Sequence, residues 1–322
     1  MFEILQYNSN LEKRWDDFVM EESVNGIFLQ TRRFLNYHPE GRFRDASFLV
    51  ALSGIIVSAF PGVLTEDGVW ISHPGSTFGG PVVSRYFYTV ERLSRIVDSA
   101  ESYLKTICRR AILRPTSDLF ARESSALLQY VLEHKGYSRQ SELSSVCSLH
   151  ADRDPLKDCD TKCRNVFRKS VPFNLIYRDM ADSEIPEFYQ FLCVSKAKHN
   201  AKPVHTVEEL LDLRHNRIPE EVSFKSLWMG DTYVAGMMMF DFRQTNVRHV
   251  QYLAPNYGIT LFQPTTAMNV SVMREAAKEG ISKFSWGIST EDCGEYLNIP
   301  LAKFKESFGA RSALNLLYSK EW

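Results

Sequence analysis

The 322-residue chain has almost no net charge: 38 lysines and arginines face 39 aspartates and glutamates, a formal −1 at pH 7. Divided at residue 150, the halves hold 16 basic and 17 acidic residues, then 22 of each, so neither half is a basic module. That excludes a protein gripping nucleic acid along a broad cationic face, where phosphate neutralisation dominates binding. No window approaches the roughly 18 uninterrupted apolar residues of a membrane span. The most apolar stretch, Ile55 to Leu64, is strand-sized and contains Pro61. The opening residues, Met1-Phe2-Glu3-Ile4-Leu5-Gln6-Tyr7, lack a basic region followed by an apolar run, so no secretory signal is read there. Cysteine is sparse as well. Six thiols (Cys108, Cys147, Cys159, Cys163, Cys193 and Cys293) are too few for a disulfide scaffold in a chain this long. Cys159 and Cys163 fall four apart, but no second pair or spaced histidine accompanies them, so independent thiols and no metal are expected. The expectation is a reduced, cytoplasmic protein with no membrane span.

What is present is an ordinary globular composition, 44% hydrophobic and 24% charged, long enough for two domains. Residues Asn10 to Glu22 carry Leu11, Trp15, Phe18 and Val19 at helical spacing, and Thr31 is placed to cap a second short helix. Three antiparallel strands are expected next: Ala46 to Leu52, Ile55 to Leu64 across a Ser53-Gly54 turn, and Val69 to His73. After the glycine-rich loop His73-Pro74-Gly75-Ser76-Thr77-Phe78-Gly79-Gly80 come a helix Val90 to Arg110, a strand Ala111 to Arg114, a helix Glu123 to His134 and a strand Ser144 to His150.

The second half repeats this order. Helices Ile185 to Lys198 and Val207 to Arg214 precede strands Ser223 to Met229, Thr232 to Phe242 and Val247 to Ala254. A helix ending near Glu279, a strand Lys283 to Gly287, a helix Ala302 to Phe308 and a strand Ala313 to Ser319 complete it. The repeat is one of architecture, not of letters. Between the halves, Asp160 can cap a helix carrying Lys162, Arg164, Arg168 and Lys169 that ends near Ser170, before Pro172. Its basic residues suit either an anionic ligand or a solvated linker.

Helix–helix–three antiparallel strands–loop–helix–strand–helix–strand resembles the GNAT acyltransferase fold. Two such units in tandem resemble the Fem-type aminoacyltransferases and the GNAT-like acetyltransferases of polysaccharide biosynthesis. The strings that carry the likeness are Phe28-Leu29-Gln30-Thr31, the loop from Ser72 to Gly80, Lys162 to Lys169, Phe284-Ser285-Trp286-Gly287-Ile288-Ser289, and Leu301 to Ala310 with its Phe304-Lys305-Glu306-Ser307-Phe308-Gly309 core. The resemblance implies an α/β (α+β) chain of two tandem GNAT-like domains, 1–150 and 151–322, with a bridging helix at 160–170. Each domain should hold a mixed, mostly antiparallel sheet flanked by helices. It also implies that the fourth and fifth strands part, leaving backbone free to bind a donor arm.

The implied activity is acyl transfer, N-acetylation above all, from acetyl-CoA or another acyl-CoA to an amine of a sugar or cell-envelope precursor. The acceptor is read as a small molecule or a lipid-linked sugar. An aminoacyl-tRNA-dependent peptidyltransferase of a peptidoglycan precursor is the alternative, although the charge gives tRNA no support. A non-catalytic binding module with degenerate sites is the third reading.

Acyl transfer needs a deprotonated nucleophile, a stabilised oxyanion and an acid for the leaving group. By the resemblance, Lys305 supplies positive charge to the tetrahedral intermediate; read locally, Lys303 and Lys305 are surface lysines of an amphipathic helix. Glu291 could act as base or cap a turn. His73 could act near neutral pH or bond loop backbone. Asp241 and His249 could face one another across neighbouring strands. Tyr252, Ala254, Asn256, Tyr257, Gly258 and Gly287 are assigned to the donor, and Gly75, Thr77, Gly79, Gly80, Arg164 and Arg168 to the acceptor. One departure stands out. Where the GNAT family has its glycine-rich pyrophosphate signature, this chain reads Ala254-Pro255-Asn256-Tyr257-Gly258-Ile259-Thr260.

Overall fold

The computed structural model describes residues 2–39, 41–198 and 200–322. The chain forms two compact units, one of Met1–Glu142 with Glu291–Tyr296 and Leu314–Trp322, the other of Leu143–Thr290 with Leu297–Ala313. No helix among the described residues is long and apolar enough to cross a membrane.

In the first unit, strands Phe2–Gln6, Phe48–Leu52, Ile55–Phe60 and Val82–Val83 form an antiparallel sheet in that order. The expected strand Ile55 to Leu64 is broken at Pro61, which has no N–H for a ladder. Its continuation Gly62–Leu64 pairs instead with Val69–Ser72, and the Trp70 indole lies so close that a Cβ on Gly62 would meet it at 2.0 Å. Val69–Ser72 then runs parallel to Arg110–Leu113 over three rungs: Val69↔Arg110, Trp70↔Ala111 and Ile71↔Ile112. The crossover between them is the helix Val90–Ile107. It buries Leu93, Ile96, Val97 and Leu104 on Trp70, Phe48 and Leu128, the last from helix Ala126–His134.

In the second unit the sheet runs, from one edge, Ile176–Asp179, Val222–Met229, Thr232–Phe242, Val247–Pro255 and Lys283–Ile288, and then the end of Ser138–Ser148. Every neighbour is antiparallel except Val247–Pro255 with Lys283–Ile288, joined in parallel through helix Pro264–Lys278. That helix packs Ala267, Val270 and Met273 with Met237, Met239, Phe284 and Phe308. Gly236, on the opposite side of its strand, leaves room for Phe188 of helix Ile185–Ala197, whose ring would lie 2.7 Å from a Cβ there. Asp160 does cap the bridging helix Thr161–Arg168, accepting from the Cys163 amide at 2.6 Å.

The register overturns one expected pairing. Asp241 sits opposite Arg248, not His249, and accepts from its Nε and Nη2 at 2.7 and 2.8 Å. Arg248 also reaches Glu279 at 2.9 Å, while Lys225 bonds Glu275 at 2.6 Å and Asp179 at 2.7 Å. This cluster fastens helix Pro264–Lys278 to the sheet. His249, one residue on, points to the other face.

Replacing Arg248 with Met should leave the Asp241 and Glu279 carboxylates facing each other without their cation. The expected cost is about 2–3 kcal/mol at pH 7, below the usual range for a fully buried pair because Glu279 is half exposed. Urea unfolding at pH 7 measures it; an unchanged midpoint would show that Arg248 contributes nothing to holding the helix on the sheet.

Candidate functional site

The parallel rungs of the second unit are Val247↔Lys283, Arg248↔Phe284 and His249↔Ser285. Beyond them the strands part. On one side Trp286 donates its indole N–H to buried Asn269 Oδ1 at 2.6 Å, drawing the strand toward helix Pro264–Lys278. At the next residue Gly287 takes φ +69°, a conformation in which side chains are strained, and the ladder to Ser138–Ser148 slips by a residue.

Into this parting comes Lys305. Helix Ile299–Glu306 begins at Asn298, whose Oδ1 accepts from the Leu301 amide, and carries Pro300 in its first turn. Phe304 and Phe308 lie edge to face at 5.1 Å, and Phe308 packs on Trp286 at 5.5 Å. Between those anchors Lys305 turns inward and is only 4% exposed. Its Nζ donates to the carbonyls of Gly287 at 3.0 Å and Ile288 at 2.6 Å. Burial pulls its pKa down to about 8, so the amine remains mainly protonated at pH 7. Gly309, at φ +85°, ends the segment against the Asp158 carbonyl, which explains the last glycine of the string.

His249 completes the cluster. Its Nδ1 shares a 3.1 Å hydrogen bond with Ser285 Oγ, and its ring faces the place a Gly287 Cβ would take, 3.2 Å away. Burial first, and the Lys305 charge second, hold its pKa near 4, so it is neutral. Sequence reasoning noticed His249 but gave it the wrong partner, and it missed Ser285 and His205. His205 Nδ1 shares a 2.7 Å hydrogen bond with the buried Tyr252 hydroxyl.

A cavity of about 630 Å³ opens beside this helix, lined by Asp160, Lys162, Cys163, Gln263, Lys303 and Phe304 among others. The bridging helix thus reaches it through Lys162. Arg164 binds its own helix start, at the Cys159 carbonyl and Thr161 hydroxyl, and Arg168 donates to Asn165 Oδ1.

Of the residues assigned to the donor, Gly287 touches Lys305. Tyr252 and the rest group with neighbouring protein atoms: the Ala254 carbonyl accepts from Tyr233 at 2.9 Å. Asn256 closes its own turn, donating to the Tyr233 carbonyl and accepting from the Gly258 amide, each at 2.9 Å. Tyr257 carries Lys198 3.0 Å above its ring and bonds Ser195 at 3.2 Å.

His73 and Glu291 belong to the first unit, whereas Lys305 belongs to the second. Glu291 is exposed at a small hairpin formed by Thr290–Glu291 and Tyr296–Leu297. His73 is buried, stacked on His38 at 5.6 Å with Phe43 edge-on at 5.3 Å, and its Nδ1 has no hydrogen-bond partner among the described residues. The loop glycines are used by the chain itself. A Cβ on Gly75 would strike His38 at 2.0 Å, one on Gly79 would meet Ser72 backbone at 2.6 Å, and the Gly79 and Gly80 amides both donate to the Arg114 carbonyl. Thr77 is exposed.

His38 and His73 are held neutral, with pKa values brought to about 4 and about 3, each chiefly by burial. The unfolded chain gains their protons near pH 6.5 and the native state does not, so stability present above pH 6.5 is lost as the pH falls toward 4. His73→Gln should flatten the fall in urea midpoint between pH 6.5 and 4 relative to the parent; an unchanged slope would show that His73 is not held neutral.

No family model matches the chain, and no curated protein matches it. Among solved structures, FemX is similar over 98% of this chain and 96% of its own, at 11% identity and a TM-score of 0.68. The C-terminal (DUF2156) domain of a putative lysylphosphatidylglycerol synthetase from Agrobacterium fabrum is similar over 98% and 93%, at 13% identity and 0.61. A tandem GNAT protein from the clavulanic acid biosynthesis pathway is similar over 100% and 98%, at 9% identity and 0.58. At these identities the likeness is one of fold, and the fold is that of GNAT-like units in tandem.

Proposed function

We propose that the chain is an acyltransferase that moves an acyl group to an amine, with the chemistry in the second unit. The observation that carries this reading is the buried Lys305 ammonium in the strand parting, bonded to the Gly287 and Ile288 carbonyls. An ammonium has three N–H donors. Two are spent on those carbonyls, which leaves one for the oxyanion of a tetrahedral intermediate. Past His249 the side of Val247–Pro255 that faces Lys283–Ile288 has no strand partner among the described residues and offers amides and carbonyls to an extended donor arm. In the transfer itself, the amine lone pair forms the C–N bond, the C–S bond of the thioester breaks, and the amine's proton ends on the departing thiolate. An acyl-CoA is the donor of this reading, and an amine of a sugar or cell-envelope precursor is the acceptor.

A second reading keeps the site and replaces the donor with aminoacyl-tRNA. It is favoured by Asn256, whose side chain closes its own turn where a pyrophosphate loop would otherwise open.

The test incubates the purified chain with labelled acetyl-CoA or charged tRNA against amino sugars and their nucleotide derivatives. Transfer is expected from acetyl-CoA, and Lys305→Ala should lower kcat by about 10²–10³-fold, as for loss of an oxyanion donor. Because the ammonium is the active form, kcat should fall as the pH rises through about 8. With Lys305→Arg that falling limb should move to higher pH. Transfer from charged tRNA alone selects the second reading, and no transfer from either donor overturns both.

A further inference from the structure

The first unit contains a parallel strand pair of the same build as the one at Lys305, with different chemistry at its end. In each unit three rungs flank a crossover helix. Ile71↔Ile112 holds the register place of His249↔Ser285, and Arg114, two residues past Ile112, holds that of Gly287. A cavity of about 530 Å³ lies over this pair, lined by Ile71, Pro74, Arg110, Ile112, Arg114 and Leu317, with Gln140 and Ser319 beside them. Among the described residues its lining contains no lysine or histidine, the groups that suit the second unit for transfer.

Two guanidinium groups remain. Among the described residues the Nε atoms of Arg110 and Arg114 are buried without a hydrogen-bond partner, which is costly for a charged donor unless a ligand completes it. Arg110 shares its charge with Glu321 at 3.5 Å. Arg114 closes no salt bridge among the described residues; Glu142 feels its charge, yet burial raises that carboxyl above its ordinary value. Asp292 and Glu295 also line the cavity, but both are exposed at its rim, where water and salt screen them. Between the arginines the floor is apolar.

We propose that this cavity binds a phosphorylated amphiphile, its phosphate on the Arg110 and Arg114 guanidiniums and its apolar body on Ile71, Ile112 and Leu317. Planar forked donors suit phosphate oxygens better than a point charge does. The site stands apart from the acyl-transfer reading, because it uses no residue of the Lys305 cluster.

Calorimetric titration of the full chain with n-octyl phosphate, kept below its micelle concentration, tests this without any turnover. One saturable site is expected, with inorganic phosphate and n-octyl glucoside each at least ~tenfold weaker because each lacks one half of the recognition. Arg114→Gln should weaken octyl phosphate at least ~tenfold and Arg114→Lys by less, since lysine keeps the charge and loses the fork. Arg95→Gln, an exposed charge removed from helix Val90–Ile107, should change nothing. Should Arg114→Gln fail to fold by circular dichroism, Arg110→Gln is titrated in its place. Absence of saturable binding, equal affinity for octyl glucoside or free phosphate, or indifference to the arginine substitution overturns the proposal.

Discussion

The second unit depends on a parallel ladder that stops after three rungs. Up to His249↔Ser285 the two strands are held hard, with Arg248 tied to Asp241 and Glu279 on one face and His249 tied to Ser285 on the other. Past that point Trp286 is drawn to Asn269, and Gly287 turns the chain into a region other residues avoid. Releasing a strand inside a protein leaves backbone groups in need of partners. Lys305 supplies donors to two of them. The contact works both ways: the carbonyls that need the lysine also hold its Nζ in the parting, and the burial that lets it reach them lowers its pKa.

Much of the fold was legible because turn chemistry and hydrophobic period agree. Ser53-Gly54 joins strands as expected, both residues at positive φ, and Thr232–Phe242 begins and ends where its apolar run does. The misses have physical causes. Ile176–Asp179 is a short, largely exposed edge strand with no alternation to betray it, and Ser138–Ser148 begins six residues before the expected start at Ser144, in a polar stretch. Phe2–Gln6 owes its strand to pairing with Phe48–Leu52, a partner more than forty residues away.

The site was less legible than the fold, for a reason of register. A single-residue difference in pairing decides which face a side chain occupies. Asp241 and His249 looked like partners, and the actual pairing sends Asp241 to Arg248. Lys305 could be singled out only through its string, because local pattern treats Lys303 and Lys305 alike. What separates them is the aromatic anchoring of Phe304 and Phe308 around Trp286, a contact between segments distant in sequence. The glycine-rich loop has a packing reason that its pattern alone did not reveal. Its glycines are assigned to the acceptor by the resemblance, and in the structure they are required by His38, Ser72 and the Arg114 carbonyl, groups of the chain itself.

The two parallel pairs place different side chains at the same register positions. At the second unit's parting, Gly287 has φ +69°, and a Cβ there would press on His249, so the place excludes a side chain and leaves its carbonyl for Lys305. The first unit puts Arg114 at that register place and isoleucines where histidine and serine stand. A side chain at the parting and a lysine bonded to the bare backbone are alternative ways to fill the same space. An arginine brings its own charge on a flexible stem and suits holding an anion. A buried lysine fixed by carbonyls keeps a donor aimed at one point, as stabilising a transient oxyanion requires. The near-equal charge of the two halves thus hides a difference in where each cation is held and in what remains for it to bond.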